Sequence, residues 1–430
     1  MGPHLSYESF PRDILFVIIS NIDLNRTFPL LFVSKEINSH IKRKNILYNR
    51  YYFINDVAKS GTLNLFKWCY EHNFPWGEQT SANAAENGNF KILKWAINNY
   101  CPWDSSAPAS AALNNHFEIL KWLSDDGHRF NSSICAFAAK NGHFDILKWA
   151  RKNGYKWNSK TTLCAAQNGH FEILKWARKE GCRWNLKITA AVAKNGHFEI
   201  LKWCKKYGCV FNQDTCASAA KNGHFEILKW LRKNKCEWDH SVCKFAAYNG
   251  HFDILKWAIA NGCEWNSGTC SLAAEGGHFE ILKWARKNGC DWNPGTCSRA
   301  AAGGQLEILK WARKNGCEWD YRACAEAAEN GQLEILKWAR KHKCPWDSLT
   351  CALAAANGHF EILKWARKNR CEWDHSTCDM AAERGQFEIL KWARKKGCDW
   401  SYETFRNSSY EYFEIAKWAE ENGCPTSDKN

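Results

Sequence analysis

Gly277-His278-Phe279-Glu280-Ile281-Leu282-Lys283-Trp284-Ala285-Arg286-Lys287-Asn288-Gly289-Cys290 is one copy of a segment that recurs along most of the chain. Its Lys-Trp pair returns at Trp68, Trp95, Trp122, Trp149, Trp176, Trp203, Trp230, Trp257, Trp284, Trp311, Trp338, Trp365 and Trp392, a constant step of 27 residues, and at Trp418 after a step of 26. A second aromatic follows eight residues later in most copies, as in Trp292, Trp319 and Trp400, with Phe130 and Phe211 in two of them. All 25 tryptophans belong to this pattern. Fourteen copies at a fixed period mean a stacked-repeat architecture.

Within one copy, Thr269 to Glu275 is expected to form a short first helix, stopped at Gly276-Gly277 by a glycine C-cap. Phe279 to Lys287 is expected to form the second, closed by Asn288-Gly289. Glu280 then lies in the positive first turn and Arg286 and Lys287 in the negative last turn, so the charges complement the helix dipole. Glu280, Lys283 and Lys287 form a polar stripe, and Phe279, Ile281, Leu282, Trp284 and Ala285 make an apolar arc too wide for one partner. Helices this short do not stand alone in water. Each copy must be sandwiched between the preceding and following copies, with the tryptophans expected in the core, each contributing roughly 2–3 kcal/mol by burial.

Of 430 residues, 45% are hydrophobic and 14% aromatic, enough to bury a large core and to exclude disorder by composition. No apolar run approaches the roughly 18 residues of a membrane span, and Ile14–Ile19 is too short for a signal peptide. A reducing compartment, cytoplasmic or nuclear, is therefore expected, which makes the 22 cysteines an unlikely disulfide framework. Eleven of them occupy the slot of Cys290 and eight the slot of Cys270. Both slots read as small buried hydrophobes.

Residues 1–48 lie outside the repeat. Pro11 precedes Ile14, Leu15, Ile18, Ile19 and Ile22 at helical spacing, followed by Asp23-Leu24 and Val33-Ser34-Lys35. This order resembles the F-box, with Phe10 where that family prefers Leu and Ile37 where it often has Trp. The resemblance implies docking to the Skp1 adaptor of a cullin ubiquitin ligase through Phe10, Pro11, Ile14, Ile18, Val33 and Lys35. The bland alternative is that these helices only cap the repeat stack, as terminal units must.

Residues 49–427 are read as the array, with residues 428–430 a tail. The run from Gly277 to Cys290, together with Ala273-Ala274, resembles the ankyrin repeat, but at 27 residues in place of about 33. The shortening falls where ankyrin repeats carry a β-hairpin, so tight loops and little strand are expected. Units of this kind behind an F-box are similar to the ankyrin-repeat proteins of giant DNA viruses of amoebae. The expected fold is all-α: an ankyrin-type α-solenoid of about fourteen helix-turn-helix repeats with an N-terminal helical F-box-like module.

Chemistry that breaks the period is not visible. Cysteines seven apart, such as Cys290 and Cys297, lack a close Cys-X-X-Cys or His partner, so neither a metal nor a cofactor is expected. His278 and its counterparts are replaced by Gln305, Gln332 and Gln386, which keeps a hydrogen bond but not metal ligation or proton transfer. An enzyme is not expected. Charge is what varies: residues 128–210 hold sixteen Lys or Arg and four Asp or Glu, so 16 − 4 gives +12 of the total +14. The excess sits at Arg129, Lys156 and Arg183 before the second aromatic, and at Lys140, Lys194 and Lys221 after the paired alanines; Glu275, Glu329 and Glu383 occupy the latter slot in later copies. We expect a protein partner with an acidic surface opposite the basic residues and a basic one opposite the acidic residues. Nucleic acid is the disfavoured rival, because the aromatics able to stack on bases are expected inside the core. A monomer is expected.

Overall fold

The computed structural model describes residues 50–409 and 412–427. Among them are 28 α-helices, from Arg50–Ser60 to Phe413–Glu421, and no strand. None is long and apolar enough to cross a membrane. The F-box-like segment with Phe10, Pro11, Ile14, Ile18, Val33 and Lys35 lies outside the described residues. The chain divides into two compact units at Ile188 and Thr189.

In both units a first helix of seven to eleven residues alternates with a second helix of nine. The second helix in the repeat quoted above is Phe279–Lys287, as the pattern predicts. The first is Ser267–Glu275, two residues longer than predicted, because Asn266 caps it: the side-chain oxygen accepts the Gly268 amide at 3.0 Å. Asp320, Asp347 and Asp374 cap their own first helices in the same way. These Asn and Asp residues close the tight loops that stand where a hairpin is missing.

First helices pack on the first helices before and after them and on their own second helix, whereas contact between second helices is sparse. Alanine makes this possible. The pair Ala273-Ala274 is fully buried, and so are its counterparts Ala300-Ala301 and Ala327-Ala328, so neighbouring backbones approach closely. The second helix contributes Ile281, Leu282 and Ala285 to the core, exposed by 3% or less.

The tryptophans are not in that core. Each is half-buried, at the outer edge of the second helices, where it forms a seam. Trp311 takes the ring of Phe279 at 5.5 Å and that of Trp292 at 5.6 Å, both edge to face, and the Arg286 guanidinium lies 4.3 Å from the Trp292 centroid. Lys283 lies 4.0 Å from the Phe279 ring and 2.8 Å from Glu280. The expectation of buried tryptophans fails because alanines bring first helices closer together than second helices can follow. The diverging second helices need large rings to bridge the gap.

Two residues at each repeat require a left-handed backbone. Gly277 (φ +79°) follows the first helix and Gly289 (φ +84°) the second. Space around Gly289 is open, so conformation alone selects glycine there. Tyr100, Lys235, Lys343 and Arg370 hold the same position with φ of 61–65°. Tyr100 is 93% exposed and gains no burial in return. Tyr100→Gly is therefore expected to stabilise the protein by about 1 kcal/mol, read as a higher urea midpoint.

A second test concerns threonines buried at the third position of first helices. Thr296 shares a hydrogen bond with Ser271 of the preceding repeat at 3.2 Å, and Thr404 donates to Asp379 at 2.5 Å. The hydroxyls of Thr161, Thr269, Thr350 and Thr377 have no partner, and the residue standing where Ser271 and Asp379 do is then Ala136, Lys244, Ala325 or Ala352. Ala352→Ser should supply Thr377 with the bond that Thr296 already has, raising stability by about 1 kcal/mol; an unchanged denaturation midpoint would refute the pairing.

Candidate functional site

The expected basic residues occupy two positions of the repeat. Arg129, Lys156 and Arg183 are exposed in the loops that lead from a second helix to the next first helix. Lys140, Lys194 and Lys221 are exposed at the last position of first helices Ser133–Lys140, Ile188–Lys194 and Gln213–Lys221. A first helix of seven to nine residues separates the two positions of one repeat by about 10–13 Å, so they do not merge into one patch. None of the six makes an ion pair with a described carboxylate. Arg129, Lys156 and Arg183 precede the half-buried rings of Phe130, Trp157 and Trp184.

Glu275, Glu329 and Glu383 continue the first-helix row, each as the last residue of its helix. In the C-terminal unit that row reads Lys194, Lys221, Tyr248, Glu275, Ala302, Glu329, Ala356, Glu383, passing from basic to acidic. Three residues earlier on the same helices stand Ser218, Phe245, Leu272, Arg299, Glu326, Leu353 and Met380. Apart from Arg299, which is exposed, these are half-buried.

Charge is organised along this stripe. Arg299 reaches the Glu275 carboxylate at 3.4 Å, and the other carboxylates have less support. Burial pushes the Glu326 carboxyl above the usual range; Arg299 and Arg322 oppose the shift, while Glu329 and Glu275 add to it. The Lys221 ammonium lies 5.3 Å from the ring of Phe245 on the next repeat.

The residues that open the second helices do structural work. His278 Nε2 lies 3.0 Å from the carbonyl oxygen of Tyr248, and His359 Nε2 lies 2.9 Å from that of Glu329. A carbonyl only accepts, so Nε2 carries the hydrogen. Each ring thereby caps the first helix of the preceding repeat. It also lies against that repeat's left-handed glycine, where a Cβ on Gly250 would come 2.5 Å from the His278 ring. Gln305 keeps a hydrogen bond but turns it to Gly303 of its own repeat, at 2.8 Å. The predicted hydrogen-bonding role therefore holds, with the cross-repeat partner exchanged in that copy.

One cluster breaks the period. Asp379, 9% exposed, accepts from Thr404, from Ser401 at 3.0 and 3.1 Å, and from His375 Nδ1 at 2.9 Å. The Asp379 hydrogen bond raises the His375 pKa, burial opposes it, and the charges of Asp379, Asp374 and Asp399 add to the rise. A folded-state value raised in this way stabilises below the unfolded value, and the contribution is lost as pH rises through the folded one. Ser401 donates to the aspartate and not to the histidine, so the cluster lacks a nucleophile activated by a base. Its work is to tie the last first helix, Tyr402–Ser409, to its neighbour. Its only sequence signal is an acid at a position where no other copy carries one and most carry Ala or Ser.

The cysteines group differently from the seven-residue spacing noted in the sequence. Cys270 Sγ lies 3.8 Å from the Cys290 carbonyl oxygen, and Cys290 Sγ donates to the Asn266 carbonyl at 3.4 Å. The neighbours are thus twenty apart, within one repeat. No group of three or more His, Cys, Asp or Glu among the described residues could hold a metal ion.

Comparison with known proteins finds an ankyrin-repeat family profile (ankyrin repeats, many copies) matching residues 134–178 and 216–259. No curated protein matches the chain. Among solved structures, the human ASB11 ankyrin repeat domain is similar with a TM-score of 0.33 and 14% identity, covering 43% of this chain and 99% of that one. The pentatricopeptide repeat protein PPR10 in complex with an 18-nucleotide psaJ RNA element is similar with a TM-score of 0.38 and 11% identity, covering 96% of this chain and 74% of that one. PPR10 from maize is similar with a TM-score of 0.33 and 11% identity, covering 92% of this chain and 76% of that one. With the helix order, the glycine turns and the profile match in hand, the described chain is an all-α array of ankyrin-type helix-turn-helix repeats.

Proposed function

We propose that the protein is a non-enzymatic adaptor whose repeats hold a target protein while its N-terminal segment recruits a Skp1-type subunit of a ubiquitin ligase. One observation carries the binding half. The buried positions of the first helix repeat almost unchanged as Thr, Cys, Ala and Ala, while the half-buried and exposed positions beside them differ from copy to copy: Phe245, Leu272, Arg299, Glu326, Leu353 and Met380 in one row, Lys221 to Glu383 in the other. A surface that varies over a constant core is what an extended recognition face requires. The target implied by the rows is a protein that offers carboxylates to Lys194 and Lys221 and cations to Glu275, Glu329 and Glu383. A second acidic surface would face Arg129, Lys156 and Arg183. The recruiting half rests on the order of Phe10, Pro11, Ile14, Ile18, Val33 and Lys35.

Purified Skp1 should be retained by the full chain and lost from a Pro11→Ala/Ile14→Asp variant of unchanged helicity. Equal loss or equal retention by both would leave an interaction scaffold without a ubiquitin role. The partner class is tested at the loop row. Wild type and an Arg129→Glu/Lys156→Glu/Arg183→Glu variant should pass alike through a DNA or RNA column at about 150 mM salt. Retention of the wild type, lost steeply with added salt and absent in the variant, would replace the protein partner with nucleic acid.

A further inference from the structure

Seven consecutive repeats of the C-terminal unit hold two buried cysteines each, twenty residues apart: Cys216 with Cys236, Cys243 with Cys263, Cys270 with Cys290, Cys297 with Cys317, Cys324 with Cys344, Cys351 with Cys371, and Cys378 with Cys398. The first member lies on the first helix, at 0% exposure; the second lies in the closing loop, at 5% or less. All are free thiols. The helix thiol points at the loop cysteine, with Cys270 Sγ 3.8 Å from the Cys290 carbonyl and Cys297 Sγ 3.9 Å from that of Cys317. In all seven repeats the loop thiol lies 3.2–3.4 Å from the carbonyl oxygen of the residue 24 positions earlier, at the start of the same first helix. Packing alone does not ask for two sulfurs. In the N-terminal unit the same two positions hold Ser81 and Cys101, Cys135 and Tyr155, or Thr162 and Cys182.

We propose that these seven pairs are thiol-modification sites, each closing to a disulfide between the first helix and the loop of its own repeat on exposure to a hydroperoxide. In four repeats the loop thiol (Cys236, Cys263, Cys290, Cys317) is pushed below its ordinary range by the hydrogen it accepts from the helix thiol, against burial. In the repeats of Cys344 and Cys371 the helix thiol and burial instead push the loop thiol up. One thiol loses its proton, and its sulfur attacks the peroxide. The O–O bond breaks, the leaving alkoxide or hydroxide takes a proton, and a sulfenic acid remains. The second thiol attacks that sulfur, the S–S bond forms, and its own proton leaves with the hydroxyl as water. The peroxide is reduced by two electrons and the pair oxidised by two. The bond would lock the ring that Cys290 already closes by donating to the Asn266 carbonyl.

The full-length protein, treated with hydrogen peroxide while circular dichroism reports it folded, is weighed, then unfolded, alkylated and mapped. The expected result is a mass lower by about 2 Da per closed pair, cross-linked peptides joining cysteines twenty apart between Cys216 and Cys398, and Cys101, Cys135 and Cys182 free of cross-links. Cys290→Ala should remove the Cys270 cross-link and leave the other six. The inference is overturned if every thiol of the folded protein alkylates after a treatment that oxidises a dithiol control peptide. It is equally overturned if cross-links join cysteines seven apart or cysteines of different repeats.

Discussion

Helices of nine residues have too few turns to hold themselves in water, and everything else in this protein follows from that. A Phe279–Lys287 segment keeps its shape because Ile281 and Leu282 are buried against the first helices, and those are held in turn by Ala273-Ala274 meeting the alanines of the next copy. Stability is therefore a property of neighbours and not of units. The caps serve the same end: Asn266 at the start of a first helix, Gly277 at its end, and the His278 ring reaching back to the Tyr248 carbonyl. Each satisfies backbone groups that a short helix exposes in greater proportion than a long one.

The alanine contact also shapes the outer edge. Drawing first helices close leaves the backbones of the second helices farther apart, and the Phe279, Trp292 and Trp311 rings fill the wedge between them. Arg286 over Trp292 and Lys283 over Phe279 cover the faces turned to solvent. That seam contributes area and cation–π attraction without a closed core. Regularity at the seam leaves variation to the first helices, where Arg299, Glu326 and Met380 differ from copy to copy.

Most of the fold was legible because a 27-residue period leaves little freedom, and the limits of Phe279–Lys287 follow from its glycine and charge pattern alone. What escaped was depth. An apolar arc tells which residues avoid water, but not how far apart two helices stand, so it does not separate the buried Ile281 and Leu282 from the half-buried tryptophans. Ser267–Glu275 starts two residues ahead of the Thr269 expected from the pattern, because Asn266 caps it and the period does not mark a cap. Lys140 and Arg129 read as one basic patch in the sequence, where nothing measures the length of helix between them. The cysteine pairing was hidden for a similar reason. Proximity along the chain suggested Cys290 with Cys297, while the turn of the repeat brings Cys270 to Cys290. The Asp379 cluster involves three residues outside the pattern, and a reading built on the pattern passes over such residues.

Residues 171–179, 279–287, 360–368 and 387–395 are the same nine-residue sequence. Surfaces that are identical cannot distinguish a correct neighbour from an incorrect one, and an array of such copies is prone to swapped or skipped pairings as it folds. The first helices carry the distinguishing marks. Ser271 matches Thr296 and Asp379 matches Thr404, whereas Thr350 and Thr377 follow copies that offer them nothing. A polar bond present at one junction and absent at the next acts as an address label, favouring one order of assembly among many that would bury the same amount of leucine and isoleucine.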